Sequence, residues 1–197
     1  MPEETSFRIA LAVTLALTIA TVLPFRLRAR TDEKFDRRRE GLAVAIVLRL
    51  GGVALWVFVL AYLIRPQSMH WAMLRLPDWV RWCGVVAGVL CCAMMWWTLR
   101  ALGRNLTDTV ATRRDATLVT NGPYHYVRHP FYVGAGLMML SVTLLTASAA
   151  IGITSLIVLA LLAARTPKEE RQLLATFGES YRRYQAATGA FWPKLRR

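Results

Sequence analysis

Cysteine is scarce in this chain of 197 residues, and its three copies, Cys83, Cys91 and Cys92, all fall inside one apolar segment. Adjacent Cys91 and Cys92 lack zinc-ligand spacing, and three thiols in one hydrophobic run make no disulfide framework, so they read as core packing. Acidic residues are also few: 12 against 25 Lys and Arg, a formal charge of +13. That charge invites a nucleic-acid reading, yet no basic segment with interleaved aromatics stands apart from the hydrophobic runs, which argues against that class. The opening "MPEETS" lacks the basic start of a secretory signal, so the first hydrophobic run is expected to be retained as a helix. Polar sequence is itself in short supply. With 55% apolar residues and a mean hydropathy of +0.37, the chain resembles neither an ordinary soluble domain nor a disordered tail.

What the chain has instead is hydrophobic length. Runs at about Phe7 to Phe25, Gly41 to Ile64 and Trp79 to Leu99 are each near the roughly 20 residues that cross a hydrocarbon core. From Phe131 to Ala164 the run is too long for one crossing, and the small polar cluster "TASAAIG" near its middle predicts a helical hairpin. The expected fold is an all-α integral membrane protein with five transmembrane helices, spans 4 and 5 forming the hairpin, and a C-terminal amphipathic helix. Residues 1–100 would form a three-span N-terminal membrane region, and 101–197 the remainder of one compact domain.

The basic residues then sort by side. The loop Arg26 to Glu40 carries seven, the stretch Arg100 to His129 five and the tail from Arg165 eight, against four on the alternate side, Arg8, Arg65, Arg75 and Arg81. Such a bias places the basic side in the cytoplasm, so a multi-pass inner-membrane protein is expected with its N-terminus outside and its C-terminus inside. Trp71, Trp79 and Trp82 near the outer ends, and Trp96, Trp97 and Trp192 near the inner ones, suit interfacial belts. The net charge is then topology and attraction to anionic membrane lipid. Arg49 alone lies within a span, where an arginine faces a protein interior or snorkels, and a structural role is expected of it.

Two polar segments fall on the basic side, joined by the hairpin. In "LVTNGPYHYVRHPFYVG", Asn121-Gly122-Pro123 is a turn signal, and Pro130 suits the first position of a helix, with His129 at its N-cap. Tyr124, Tyr126, Arg128, His129 and Tyr132 crowd this entrance to the bilayer. In "RTPKEERQLLATFGESYRRY", Pro167 is expected to end or kink span 5, with Thr166 and Glu169 forming a capping box. Leu173, Leu174, Phe177, Tyr181 and Tyr184 follow at the spacing of an amphipathic helix. Arg165, Glu169 and Glu170 set one cation and two carboxylates at the membrane boundary, where charge is costly and a functional role is a fair default.

These two segments, together with "LGRN" at Leu102 to Asn105, resemble the isoprenylcysteine carboxyl methyltransferase family, whose wider group includes bacterial members and phospholipid methyltransferases. The resemblance implies a membrane enzyme that moves a methyl group from S-adenosyl-L-methionine to a lipophilic or prenylated acceptor, releasing S-adenosyl-L-homocysteine. It makes 101–197 the catalytic region, with a cofactor-binding loop. Thr117, Leu118, Val119, Tyr124, His129, Pro130, Phe131 and Tyr132 fall where family members line the cofactor. Glu169 falls where a carboxylate holds its methionine end, with Glu170 beside it. Arg165 falls where an arginine faces the acceptor's carboxylate, and Arg165 and His129 are the catalytic candidates. Family members often carry a histidine two residues before the "LV"; here that position is Ala116.

Carboxyl O-methylation needs no metal and no covalent nucleophile, because the acceptor is already ionised. The resemblance leaves open a phospholipid or amine N-methyltransferase, for which His129 or Glu170 would have to take a proton. An NADPH-dependent reductase of the sterol type and a non-enzymatic membrane protein are the other classes, separated from the first by the cofactor bound.

Overall fold

The computed structural model describes residues 2–28, 42–103 and 117–194. Five apolar helices account for most of them: α1 (Pro2–Arg28), α2 (Leu42–Ile64), α3 (Asp78–Leu102), α4 (Pro130–Thr146) and α5 (Ala149–Phe177). All but the 17-residue α4 are long and apolar enough to cross a membrane. A short helix, α6 (Glu179–Ala187), follows, and no β-strand forms among the described residues. The architecture is the expected one of five hydrophobic helices. The start of span 2 at Gly41, the basic loop at 29–41, Arg104 and Asn105 of "LGRN", and Ala116 lie outside the described residues.

The hairpin turns within the "TASAAIG" cluster. Ala147 caps α4 in the left-handed region at φ 46°, and Ser148 opens α5. The segment before α3 braces this turn, since the Leu74 amide donates to the Ala147 carbonyl at 2.7 Å. α4 packs along α3, α1 along α3, and α2 and α4 along α5. The densest core gathers at the hairpin-turn end, around Phe7, Leu11, Tyr62, Leu145 and Ile151.

Close helix packing in the middle depends on glycines of α3. A Cβ added at Gly88 would lie 2.4 Å from Thr14 Cγ2 and 3.0 Å from Ser141 Oγ, so α1 and α4 sit against bare backbone there. Overpacking of this kind costs about 1–3 kcal/mol. Gly88→Ala should therefore lower the thermal unfolding temperature in detergent by several degrees. Gly52→Ala, where an added Cβ meets nothing within 4 Å, should leave it within about a degree.

Two expectations are narrowed or changed at the other end. Of the alternatives for Pro167, an end to the span is excluded, because α5 runs through it to Phe177. The Thr166 hydroxyl donates to the Leu162 carbonyl one turn back at 3.1 Å, so it is bonded within the helix and forms no capping box with Glu169. The amphipathic stripe is also divided. Leu173, Leu174 and Phe177 close α5, Gly178 breaks the helix at φ +56°, and Tyr181 and Tyr184 ride on α6. With 29 residues, α5 is about 43 Å long at roughly 1.5 Å per residue, longer than the ~30 Å hydrocarbon core. Its polar last third has room to stand beyond the membrane. Arg49 is exposed on α2, and all six belt tryptophans, Trp71, Trp79, Trp82, Trp96, Trp97 and Trp192, are exposed at the two ends.

Candidate functional site

The polar groups gather where α4 begins and α5 projects. Gly122, at φ +59°, opens a single 3₁₀ turn, Gly122–His125, that reverses the chain toward α4. Its backbone lies tight on α3, with an added Cβ only 3.1 Å from that of Ala101. Pro130 then takes the first position of α4 with His129 as N-cap, as the sequence predicts, although the His129 side chain makes no capping bond. The ring turns instead toward α5, so that residues some 40 positions apart meet.

Glu170 is the hub. Its Oε1 accepts from Arg128 Nε at 2.8 Å and lies 2.6 Å from Arg128 Nη2 and 3.1 Å from His129 Nε2, and its Oε2 accepts from Gln185 Nε2 at 2.8 Å. Arg128 also donates through Nη1 to the Gln185 carbonyl at 3.3 Å and to that of Thr188. α4, α5, α6 and the segment after α6 are thereby tied through one buried charge pair. Breaking such a network leaves an uncompensated buried charge and is strongly destabilising.

Glu169 makes a second, separate set of contacts. Its Oε1 accepts from the Tyr132 hydroxyl at 2.6 Å and pairs with Arg165 Nε at 2.9 Å, one turn earlier on α5. That i,i+4 pair spans Pro167 and requires the helix to continue through it. Glu169 Oε2 faces His129 Nδ1 at 3.8 Å. Both ring nitrogens face carboxylates, which only accept; the shorter contact, 3.1 Å from Nε2 to Glu170, favours the proton on Nε2 and makes Nδ1 the acceptor of the neutral ring. Burial holds His129 below the ordinary imidazole range and outweighs the two carboxylates, so the neutral form is favoured. Nδ1 of His129 and Oε2 of Glu169 thus form a pair of acceptors that a cationic donor would satisfy.

Aromatic rings close the surroundings. His129 and Tyr132 stack at 5.5 Å, and Phe191 lies 5.7 Å from the first ring and 6.3 Å from the second. Tyr184 donates its hydroxyl to the Tyr124 carbonyl at 2.6 Å. Burial raises the hydroxyls of Tyr124 and Tyr184 and pushes Tyr181 up to about 12, so all three stay protonated.

Of the residues singled out in the sequence, His129, Tyr132, Arg165, Glu169 and Glu170 converge. Pro130 and Phe131 form the first turn of α4, the former buried and the latter half-buried. Thr117, Leu118 and Val119 form the irregular run that leads into the 3₁₀ turn, with Thr117 exposed and the other two half-buried. Arg128, singled out in the sequence only as one of the cluster at the bilayer entrance, proves to be the main partner of Glu170; Gln185 and Phe191 carry no local signal.

The same region is where the chain resembles known proteins. A sequence model of the isoprenylcysteine carboxyl methyltransferase family matches residues 83–175. The protein-S-isoprenylcysteine O-methyltransferase of Schizosaccharomyces pombe is 36% identical over 86 residues, covering 42% of this chain and 36% of that one. The cobalt-zinc-cadmium resistance protein CzcN of Cupriavidus metallidurans is 34% identical over 86 residues, covering 44% of this chain and 40% of its own length. The chain thus spans well under half the length of these relatives. The solved structure of a eukaryotic intramembrane Ras methyltransferase of the same family superposes over 98% of this chain and 68% of its own, with a TM-score of 0.67 at 19% identity, which establishes a shared fold. Across α3, the turn, the α4–α5 hairpin and the carboxylate pair, the chain is similar to the isoprenylcysteine carboxyl methyltransferase family.

Proposed function

We propose that this chain is an S-adenosylmethionine-dependent methyltransferase that esterifies a lipophilic or prenylated carboxylate at the cytoplasmic face of the membrane, with 101–197 as its catalytic region. The observation that carries the reading is the acceptor pair, Glu169 Oε2 and His129 Nδ1, 3.8 Å apart and flanked by the Arg165 guanidinium and the Tyr132 ring. An ammonium matches the two acceptors, and a guanidinium matches a carboxylate. A donor with an amino-acid end and an acceptor with a carboxylate together supply those groups. The side assignment rests on the basic residues, 20 against 4, and the family resemblance supports the donor and the kind of acceptor.

S-adenosylmethionine, when bound, supplies an electrophilic methyl group on sulfur: the C–S bond breaks as the carboxylate oxygen forms C–O, giving ester and neutral thioether with no proton transferred. The protein's part is alignment, which can supply roughly 7–11 kcal/mol of the barrier. Glu169 and His129 hold the donor's ammonium. Arg165, already oriented by Glu169, presents its guanidinium to the acceptor's carboxylate. Tyr132 fixes the other face of Glu169 and helps keep water out. Glu170, with both oxygens engaged by Arg128, His129 and Gln185, positions the imidazole rather than meeting the donor directly. Thr117, Leu118, Val119, Tyr124, Pro130 and Phe131 complete the donor's surroundings in this reading. The acceptor enters laterally between helices, and the polar donor from the aqueous side.

Calorimetric titration of the purified protein with S-adenosylhomocysteine, in detergent and in lipid nanodiscs, tests the donor. Micromolar binding is expected. A labelled-methyl screen of prenylcysteine acids, isoprenoid acids and phospholipid amines then tests the acceptor, with base-labile label in the carboxylates expected. Absence of binding in both environments overturns the reading, and base-stable label in amines replaces esterification with N-methylation.

A further inference from the structure

Beyond α6 the chain doubles back over the site, outside the segment matched to the family. The Arg128 amide donates to the Gly189 carbonyl at 2.8 Å and the His129 amide to that of Ala190 at 3.0 Å, with Val127 and Gly189 in parallel register. Arg128 Nη1 donates to the Thr188 carbonyl, and Lys194 Nζ returns to the carbonyls of Gln185 at 3.2 Å and Ala186 at 2.8 Å. Three backbone carbonyls, of Thr188, Gly189 and Ala190, thus hold residues 188–194 as a strap across the start of α4, while Lys194 ties its far end to the last turn of α6. The turn within the strap requires glycine: a Cβ at Gly189 would lie 1.9 Å from the Trp192 carbonyl oxygen.

The turn delivers Phe191 onto the site. Its ring packs on both His129 and Tyr132, the two aromatic residues that also face Glu169, and it is half-buried while its neighbour Trp192 is 82% exposed. A phenylalanine at the edge of a polar cluster, held there by main-chain bonds at Gly189 and Ala190 before it and by the Lys194 side chain after it, has no ion or hydrogen-bond role to play. It offers an apolar face to a ligand lying against the same two rings.

We infer that Phe191, carried by the 188–194 strap, is a wall of the donor site and sets its affinity for the S-adenosyl group. This rests on the donor assignment above. Aromatic contacts of this kind make planar and sulfonium groups better bound than water-filled space would.

The test titrates S-adenosylhomocysteine into wild type, Phe191→Ala, Phe191→Tyr and Glu169→Ala, with hydrogen exchange followed in the peptides spanning 127–130 and 188–194. Phe191→Ala should weaken binding roughly tenfold and raise the donor KM with little change in kcat, and Phe191→Tyr should restore both. In the wild type, ligand should slow exchange in both peptides by at least several-fold. Affinity unchanged in Phe191→Ala but weakened in Glu169→Ala overturns the wall while leaving the donor site standing. Unchanged exchange in the ligand-bound wild type overturns it equally, and does so without relying on any variant's fold. A wild type that binds no S-adenosylhomocysteine overturns the donor assignment and the wall together.

Discussion

Glu169→Ala should weaken S-adenosylhomocysteine binding and methyl transfer roughly 30-fold or more, with a smaller fall in unfolding temperature than Glu170→Ala causes. Truncating one partner of a buried, hydrogen-bonded charge contact costs about 2–5 kcal/mol in binding, which is roughly 30-fold or more in affinity. Glu169 makes its contacts in two directions. Oε1 holds Tyr132 and Arg165, and Oε2 lies 3.8 Å from His129 Nδ1, the pair proposed to take the donor's ammonium. Removal therefore takes away a donor contact and also releases the guanidinium assigned to the acceptor. Glu169→Gln keeps an acceptor for Tyr132 but removes the charge, so its loss should be smaller. Glu170→Ala is the informative contrast. It ties Arg128, His129 and Gln185 together, so this variant should lower the unfolding temperature as well as activity. Calorimetry beside a thermal melt separates the two carboxylates; a stable Glu169→Ala protein that binds the ligand normally would remove Glu169 from the site.

Arg81→Met should be the most destabilising single change at the opposite end of the molecule. Arg81 is buried at the start of α3, with Nη1 2.9 Å and Nη2 3.1 Å from the two oxygens of Glu4. Nη2 also donates to the Leu145 carbonyl at 2.8 Å and to the Tyr62 hydroxyl at 3.0 Å, and the guanidinium lies 3.7 Å over the Phe7 ring. One side chain thus joins α1, α2, α3 and the end of α4. Breaking a buried pair by removing one partner costs about 3–5 kcal/mol. Because the Glu4 side chain keeps 25% of its surface, the lower end applies, about 3 kcal/mol. For a chain of this size that corresponds to a fall of roughly 6–12 °C in unfolding temperature. Adding Glu4→Gln should recover part of the loss, since it removes the carboxylate left without its cation. A melt of Arg81→Met within about 2 °C of wild type would show that the pair contributes little.

Both networks bear on how much of this protein its sequence discloses. The spans were legible because hydrophobic length is a local property: about 20 apolar residues have few alternatives to a membrane helix. The hairpin turn was legible for the same reason, as a small polar cluster within an overlong run, and so was the start of α4, where Pro130 suits only the first turn. The resemblance in Leu118–Gly134 and Arg165–Tyr184 marked His129, Tyr132, Arg165, Glu169 and Glu170, and the structure brings these five together.

What misled was local as well. Thr166 and Glu169 have capping-box spacing and Pro167 has the rank of a helix breaker, yet α5 continues. The Thr166 hydroxyl finds the Leu162 carbonyl, and Glu169 is drawn to Arg165 and Tyr132, a pairing that needs an unbroken turn between residues 165 and 169. Tertiary contacts here outweigh a local preference worth a few kcal/mol.

The chain's composition and periodicity by themselves determined a five-helix membrane protein with its polar segments on one side. Only the tertiary structure decided which partners each carboxylate and each arginine takes. Glu169 and Glu170 are neighbours in sequence, but α5 turns them about 100° apart. Arg128, Gln185 and Phe191 reach the site from positions 42, 15 and 21 residues from Glu170, across three separate backbone reversals. No local pattern records such meetings, because burial of charge is stabilised only once every partner has arrived.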